Sequence, residues 1–529
     1  MVALAACSSG SKKNAADDPE TQKAALDNLE KEGMPIVKET ITLDIFAGRT
    51  PQSAKDWNDV MIFNEYEDMT NMDIKWEMVP HSSLEEKRNL ALASGNLPDV
   101  FHSANMPTTD IMKYGEQGVF VPLNDLIDDY APNIKQIFED YPEVEKALTF
   151  PDGNIYSLPS IFSPEFLSMR IGAKPFINKE WLEALDMDMP ETTDEFYDYL
   201  KAVKEDDPNG NGKNDEIPYG GAHMGWLTEW LKGSFGLGNK GPANGNIDLD
   251  PDGDDMRFYP ISDEYKDMLE YLNKLFSEGL IEQNIYSIDT NQYLSNATEG
   301  LYGSTNWFSP KDIFGKEAGE AFTGTPTLEG PHGDKLFTHL IPPIQTMGAF
   351  LVTNQNENPQ ATIRWIDYFY GDEGMKLFFM GIEGETFEQT DEGEYEYMDK
   401  IMNSEEGLTF EQEVAKYLTW PGAGYPSMAS EKYFKGAESS EQELEAAEKI
   451  EPDLLEEAWP AFIYTKEEND KLASFGADID KYVDEMRDKF VSGETSFSEW
   501  DKYVETLQKM NLEEYMEIKE AAYQRYLEN

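Results

Sequence analysis

Apolar and polar residues alternate one for one over Thr40-Ile41-Thr42-Leu43-Asp44-Ile45-Phe46, the period of a strand with one buried face. Gly48-Arg49-Thr50-Pro51 interrupts the alternation, and Trp57, Val60, Met61 and Met69 then recur at helical spacing. The cycle repeats. Residues 73–79 alternate up to Pro80, residues 83–94 read as a helix with Gly95 as its C-cap, and residues 97–101 open a third strand. Strand, helix, strand, helix, strand predicts a parallel sheet joined by crossovers. Ligands of such sheets bind beyond the strand C-termini, here near residues 48–51 and 102–106.

Residues 150–159, with Asp152-Gly153 at their centre, read as a hairpin leading into an extended crossing segment. Between residues 170 and 340, helical patterns at 178–185, 193–205 and 263–278 are set among Gly- and Pro-rich loops, which suits a second α/β region. Residues 348–353 return to strand pattern and 359–370 form an aromatic-rich helix. The last part is helical: Leu472, Phe475, Ile479, Tyr482, Val483, Met486 and Phe490 make one stripe, and Trp500, Tyr503, Val504, Leu507 and Met510 another.

At 529 residues the chain holds several domains or two large lobes. Its 40% apolar and 12% aromatic content places it among folded proteins despite a net charge of −61. A field of that sign repels polyphosphates, so nucleic acids and anionic lipid surfaces are poor partners. No apolar run is long enough to span a membrane. The single cysteine excludes a disulfide framework or a Cys-rich zinc site. It lies in Leu4-Ala5-Ala6-Cys7-Ser8-Ser9-Gly10, which resembles a bacterial lipobox, where small residues precede a cysteine that is diacylated after cleavage. A polar stretch follows, as in a tether; the alternative is a chance cysteine in a disordered terminus.

The sharpest local motif is Asp207-Pro208-Asn209-Gly210-Asn211-Gly212-Lys213-Asn214-Asp215-Glu216. Oxygen-bearing side chains at its first, third, fifth and ninth positions, with Gly at the sixth, follow the start of an EF-hand loop. Lys213 would lend its backbone carbonyl. Pro218 stands where the bidentate Glu is expected, and Glu216 would close the loop earlier. The alternative is a polar turn between a helix and a strand. A Ca²⁺ held there is structural, since protein oxygens fill its shell. Asp248-Leu249-Asp250-Pro251-Asp252-Gly253-Asp254 begins the same pattern and then loses it, so a hairpin turn with solvated acids is the favoured reading. Gly236-Leu237-Gly238-Asn239-Lys240-Gly241 spells a dinucleotide fingerprint but neither follows a clear strand nor opens a helix.

No HExxH or GxSxG motif occurs. A glycosidase pair among the 104 carboxylates is not locatable from sequence. Trp76, Trp365, Trp459 and Trp500 read as core, whereas Trp226 and Trp307 sit in Gly-rich, loop-like contexts beside amide side chains. Such rings suit either stacking on a sugar face or plain loop packing.

Leu4–Cys7, Leu92-Ala93-Ser94-Gly95-Asn96-Leu97-Pro98-Asp99-Val100, Asp152-Gly153-Asn154-Ile155-Tyr156-Ser157-Leu158-Pro159, the 207–216 loop, Gly381-Ile382-Glu383-Gly384 and the tail from Tyr464 to Arg525 run in order through the chain. Together they resemble the family 1 extracellular solute-binding proteins of ABC importers, in their long Gram-positive lipoprotein form related to alginate- and oligosaccharide-binding members. The resemblance implies an α/β, two-lobed periplasmic-binding-protein-like fold (type II) with a C-terminal helical extension. It assigns residues 1–6 to a signal-peptide remnant, 7–38 to a lipidated flexible tether, and 39–155 with 341–385 to the first lobe. Residues 156–340 then form the second lobe, and 386–529 a mainly helical region completing that lobe and the hinge. Carried over by position, Arg49 and Asn105 face the ligand from the first lobe, Trp226 and Trp307 from the second, and Trp420 and Tyr425 cap it. The related loop places calcium on Asp207, Asn209, Asn211, the Lys213 carbonyl, Asp215 and Glu216. The implied function is capture of an oligosaccharide, expected to be neutral, for an ABC permease, by a non-enzymatic monomer anchored through Cys7 to the outer face of the membrane. A secreted glycosidase and a sensor or adhesin of the same fold are the alternatives.

Overall fold

The computed structural model describes residues 19–529 other than Asp252, Asp254 and Ala423. Cys7 lies outside the described residues. The chain divides into two units, one built from residues up to Ile161 with Ile344–Tyr433, the other from Phe162–Pro343 with Phe434–Asn529.

In the first unit the alternating segment forms the strand Ile41–Arg49, parallel along its whole length to Met72–Pro80 and, over Ile45–Ala47, to Val100–His102. The helices between them, Met61–Thr70 and His81–Ser94, end on Asn71 and Gly95 in the left-handed conformation, which frees the last carbonyls for capping. Beyond Val100–His102 the sheet continues through Ile344–Val352 and Leu158–Phe162 to Met428–Ala429. Trp57, Phe63, Trp76 and Trp365 bury together against this sheet. Around 150–159 only the Asp-Gly turn forms, closed by the Phe150 N–H to the Asn154 carbonyl at 2.9 Å. Residues 155–157 are irregular, and the pairing starts at Leu158, so the expected hairpin is absent.

Two boundaries differ from the sequence reading. Residues 19–38 are structured rather than a tether: Pro19–Asn28 is a helix, Leu29 bridges Val37, and the Ile36 N–H donates to the Thr70 carbonyl at 3.0 Å. Leu29, Ile36 and Val37 bury as isolated apolar anchors in a polar stretch, which average composition conceals. Residues 386–433 join the first unit instead of the second. Phe387, Tyr397 and Leu418 are buried, the Tyr397 hydroxyl donates to the Phe379 carbonyl, and Ser427 Oγ donates to the Phe369 carbonyl at 2.7 Å.

The second unit has a mixed sheet in the order Phe322–Gly324, Lys174–Asn178, Tyr302–Trp307, Ile217–Tyr219. Helix Thr193–Glu205 starts with a Thr192/Glu195 capping box, and Asp263–Ser277 packs on the C-terminal helix Ala477–Ser492. Lys174 and Glu443 form a fully buried ion pair at 2.6 Å. Lys174 Nζ also donates to the Ser168 and Gly172 carbonyls at 2.7 and 3.1 Å, the added hydrogen bonds that a buried charge needs to offset desolvation.

Asp99, between the first and third strands, accepts the Asp44 N–H at 2.8 Å. Burial, reinforced by Asp44 and Glu357, pushes its carboxyl from 3.8 up to about 6. The folded state therefore keeps a proton that the unfolded chain has lost between those values, so this group's contribution to stability falls as pH rises through that window. Asp99→Asn retains the acceptor and should stabilise the protein at pH 7.5 by about 1 kcal/mol, discounted for partial solvation. It should also flatten the slope of stability between about pH 4 and 6. Urea unfolding at a series of pH values checks this; an unchanged slope in the variant would refute it.

Candidate functional site

In the first unit the strand Ile41–Arg49 has a parallel neighbour on each side, so the connections leaving its C-terminal end and that of Val100–His102 diverge. Such a switch point leaves a crevice beyond the strand ends. Here it is a cavity of about 150 Å³, bordered by residues that end or follow each parallel strand: Arg49 and Thr50, His81, and Ser103 and Asn105. Gln345, Thr346, Phe378, Thr419 and Tyr425 are also on its wall. Gly48 makes the approach possible, because a Cβ there would collide with the Ser103 carbonyl oxygen. Ser103 and Asn105 both have left-handed backbone conformations. The buried Arg88 guanidinium pins this loop by donating to the Ala104 and Asn105 carbonyls.

The chemistry of the wall is polar without being acidic. Among its described residues none is Asp or Glu, although the chain has 104 of them. The Thr50 and Thr419 hydroxyls are buried with no hydrogen-bond partner, a costly state for a polar group unless something else satisfies it. His102 lies edge-on to Trp57 and Trp76 at 5.4 Å from each; burial lowers its pKa to about 3, so it is neutral, and its Nδ1 meets Ser103 Oγ at 3.0 Å. Outside the cavity a wider depression of about 720 Å³ runs along helix His81–Ser94 past Glu85, Glu86 and Asn89, sharing His81 and Asn105 with the cavity.

The structure thus brings Arg49, Asn105 and Tyr425 to one cavity. Trp420 is not on its wall: the indole is buried and donates to the Tyr397 hydroxyl at 3.1 Å. The sequence reading missed His81 and Thr419, while Thr50 lies in the 48–51 stretch that it marked. His81 directly follows the second strand and was accessible to the strand-end rule, whereas Thr419 carries no sequence signal.

In the second unit Trp226 and Trp307 lie together, ring centroids 4.6 Å apart at 61°. Neither is in a loop. Trp226 is on helix Met224–Leu231 and Trp307 ends the strand Tyr302–Trp307. Ser304-Thr305-Asn306 looked loop-like because it is polar, yet its side chains are satisfied inside the sheet by the Pro218 carbonyl, Tyr293 and Tyr219. Tyr293 and His223 flank the pair at 4.9 and 4.7 Å, and both tryptophans stay half-buried.

The 207–216 loop joins helix Thr193–Glu205 to strand Ile217–Tyr219. Asp207 accepts the Asn211 and Gly212 N–H groups at 3.1 and 2.8 Å, Asn209 Oδ1 accepts the Asn211 N–H at 2.9 Å, and Asn211 Oδ1 accepts the Lys213 N–H at 2.8 Å. Asp215 Oδ1 accepts the Asn211 side-chain amide at 3.0 Å, which with the Asn209 amide holds its carboxyl below the usual range. Both Glu216 carboxylate oxygens are buried with no hydrogen-bond partner; burial raises its pKa, with the Asp207 and Asp215 charges adding to the rise. Among the described residues no three His, Cys, Asp or Glu side chains gather as a metal site, so any cation here depends on the amide oxygens as well. At 248–254 the reading as a hairpin holds, since Ile247–Leu249 pairs antiparallel with Met256–Phe258. Asp248 is already taken by Arg257 at 2.6 Å and the Gly238 N–H at 2.7 Å.

Over residues 55–376, more than half of its length, the chain matches the family described as bacterial extracellular solute-binding protein. The fructooligosaccharide ABC transporter substrate-binding protein FusA of Streptococcus pneumoniae is 29% identical over 100% of this chain and 97% of its own. Lipoprotein LipO of Bacillus subtilis is 28% identical over 87% and 88%. The solved structure of FusA in complex with kestose has a TM-score of 0.72 at 28% identity, covering 92% of this chain and 100% of that one, and the FusA EF-hand mutant in complex with fructo-nystose gives the same values. The chain therefore belongs to the bacterial extracellular solute-binding proteins, a family that captures solutes and catalyses no reaction on them.

Proposed function

We propose that the protein is the substrate-binding component of an ABC importer and captures a neutral oligosaccharide, acting as a monomer. The observation that carries this reading is the cavity of the first unit, where Arg49, Ser103, Asn105, Gln345 and Thr346 line a wall without carboxylates. Sugars present rims of hydroxyls that pair with such groups, and a guanidinium fork spans two adjacent oxygens. The likeness to FusA over the full chain supports the same substrate class. The net charge of −61 and the Glu85/Glu86 pair beside the cavity oppose a polyanionic chain. In the second unit Trp226 and Trp307 supply the stacking face that complements a sugar's apolar side.

Calorimetry should detect binding of kestose and none of trigalacturonate. Trp307→Ala should weaken kestose binding by about 1–3 kcal/mol, the magnitude for flat rings stacked on aromatics, with circular dichroism unchanged. Preference for the galacturonate would overturn the neutral assignment, and full affinity in the variant would make Trp307 ordinary packing.

We also propose Ca²⁺ in the 207–216 loop, held by Asp207, Asn209, Asn211, the Lys213 carbonyl, Asp215 and Glu216. The support is the pair of orphaned, buried Glu216 oxygens beside two further carboxylates, together with the EF-hand known in FusA. Hard oxygen donors of this kind suit Ca²⁺. Binding only the folded state stabilises it by about 2.7 kcal/mol at a hundredfold excess over Kd. Calcium should raise Tm in the wild type and leave it unmoved in Asp207→Asn/Glu216→Gln; an equal rise in the variant would place the cation elsewhere.

The segment around Cys7 supports lipid anchoring at the outer face of the membrane, and the relative LipO is named a lipoprotein. Mass spectrometry of the protein from its native host should find diacylglycerol on Cys7, and an unmodified thiol would refute the anchor.

A further inference from the structure

Helix Met224–Leu231 of the second unit is packed on most of its surface. Met224, Leu227, Thr228, Trp230 and Leu231 are buried, and Gly225, Trp226 and Glu229 form the stripe that reaches solvent. Residues three and four apart are neighbours on a helix surface. Glu229 therefore stands next to Trp226, one half of the Trp226–Trp307 pair, and Gly225, four residues before it, adds no side chain to the stripe. An acid in such a place has two readings: it neutralises a buried cation, or it meets a ligand.

The geometry gives one carboxylate oxygen to each task. Lys232 Nζ lies 2.7 Å from Glu229 Oε2, and the lysine side chain is only 5% exposed. His339 Nδ1 approaches the same oxygen at 3.6 Å, and Lys232 Nζ also donates to the Tyr259 hydroxyl at 3.3 Å, which fixes the ammonium. Oε2 is buried, yet the Glu229 side chain as a whole is 32% exposed, so the exposure lies on its outer edge, at Oε1 and the methylenes. Burial raises the pKa of this carboxyl, but Lys232 and His339 outweigh it and hold the value down at about 2. The group is ionised and accepts hydrogen bonds without donating any. A sugar ring lying on an indole turns its hydroxyls outward around its edge, so an anchored anionic acceptor one helical turn from the ring meets O–H donors there. Hydrogen bonds to an ionised acceptor are about twice as strong as neutral ones, and a uronate carboxylate in the same place would be repelled.

We infer that Glu229 is a ligand-contacting, specificity-determining residue: its outer oxygen accepts a hydrogen bond from a hydroxyl of the sugar ring stacked at the Trp226–Trp307 pair, while Lys232 and His339 hold the inner oxygen. The inference rests on the oligosaccharide reading, and wild-type protein tests that reading first, by calorimetric titration with kestose; absence of binding would remove the fructan-type sugar and this contact with it. With binding in hand, Glu229→Gln should lower the affinity by about tenfold or more. That change strands the buried Lys232 ammonium, so Glu229→Leu/Lys232→Met, which removes both charges, is titrated beside it and should show the same loss with native circular dichroism. Unchanged affinity in the double variant would make Glu229 a counter-ion to Lys232 and nothing more. A crystal structure of the wild-type complex with kestose decides the contact without any substitution. Oε1 should lie within about 3 Å of a sugar hydroxyl; kestose bound out of reach of Glu229 would overturn the assignment while leaving sugar capture intact.

Discussion

The first unit depends on one close approach, that of Gly48 to the Ser103 carbonyl. Gly48 is the penultimate residue of the strand Ile41–Arg49, and any side chain there would strike the Ser103 backbone and Leu84. Because the approach is allowed, helix His81–Ser94 lies close over the strand and the loop after the third strand folds back beside it. Arg88, one turn along that helix from Leu84, then reaches the Ala104 and Asn105 carbonyls. The cavity wall is therefore an extension of the core. Its loops are set by strand pairing and by a buried guanidinium, and this rigidity spares a ligand the entropy of ordering them.

Charge is arranged around this site by exclusion. An acidic surface keeps the protein soluble and repels polyanions, yet the carboxylates stop at the rim, at Glu85 and Glu86. His102 is held neutral by burial among Trp57 and Trp76, leaving Arg49 as the permanent cation on the wall. The unpaired Thr50 and Thr419 hydroxyls lower the stability of the free protein, a local conflict of the kind that marks binding sites.

Much of the fold was legible because its periods are clean. Thr40–Phe46 and residues 73–79 alternate, the 83–94 segment ends on a glycine, and each became the expected element with ends displaced by a few residues. Legibility failed where burial did not follow period or composition. Leu29, Ile36 and Val37 anchor an otherwise polar stretch, and Ser304-Thr305-Asn306 is a buried strand whose polar groups find partners only in the tertiary structure. The site divided the same way. Arg49 and Asn105 follow strands and were within reach of the strand-end rule, while Thr419 comes from a distant irregular segment that only the fold brings back.

The 207–216 loop and Trp307 lie far apart in sequence but meet at one sheet. Glu216 immediately precedes the strand Ile217–Tyr219, which runs parallel to Tyr302–Trp307 with Ile217 beside Tyr302 and Tyr219 beside Ser304. The Tyr219 hydroxyl donates to Asn306 Oδ1 at 3.1 Å, directly next to Trp307. Whatever satisfies the buried Glu216 carboxylate also fixes the start of this strand, and through the Tyr219–Asn306 bond it fixes the residue that carries the indole into place. The proposed cation and the proposed stacking ring are thereby linked through strand pairing alone.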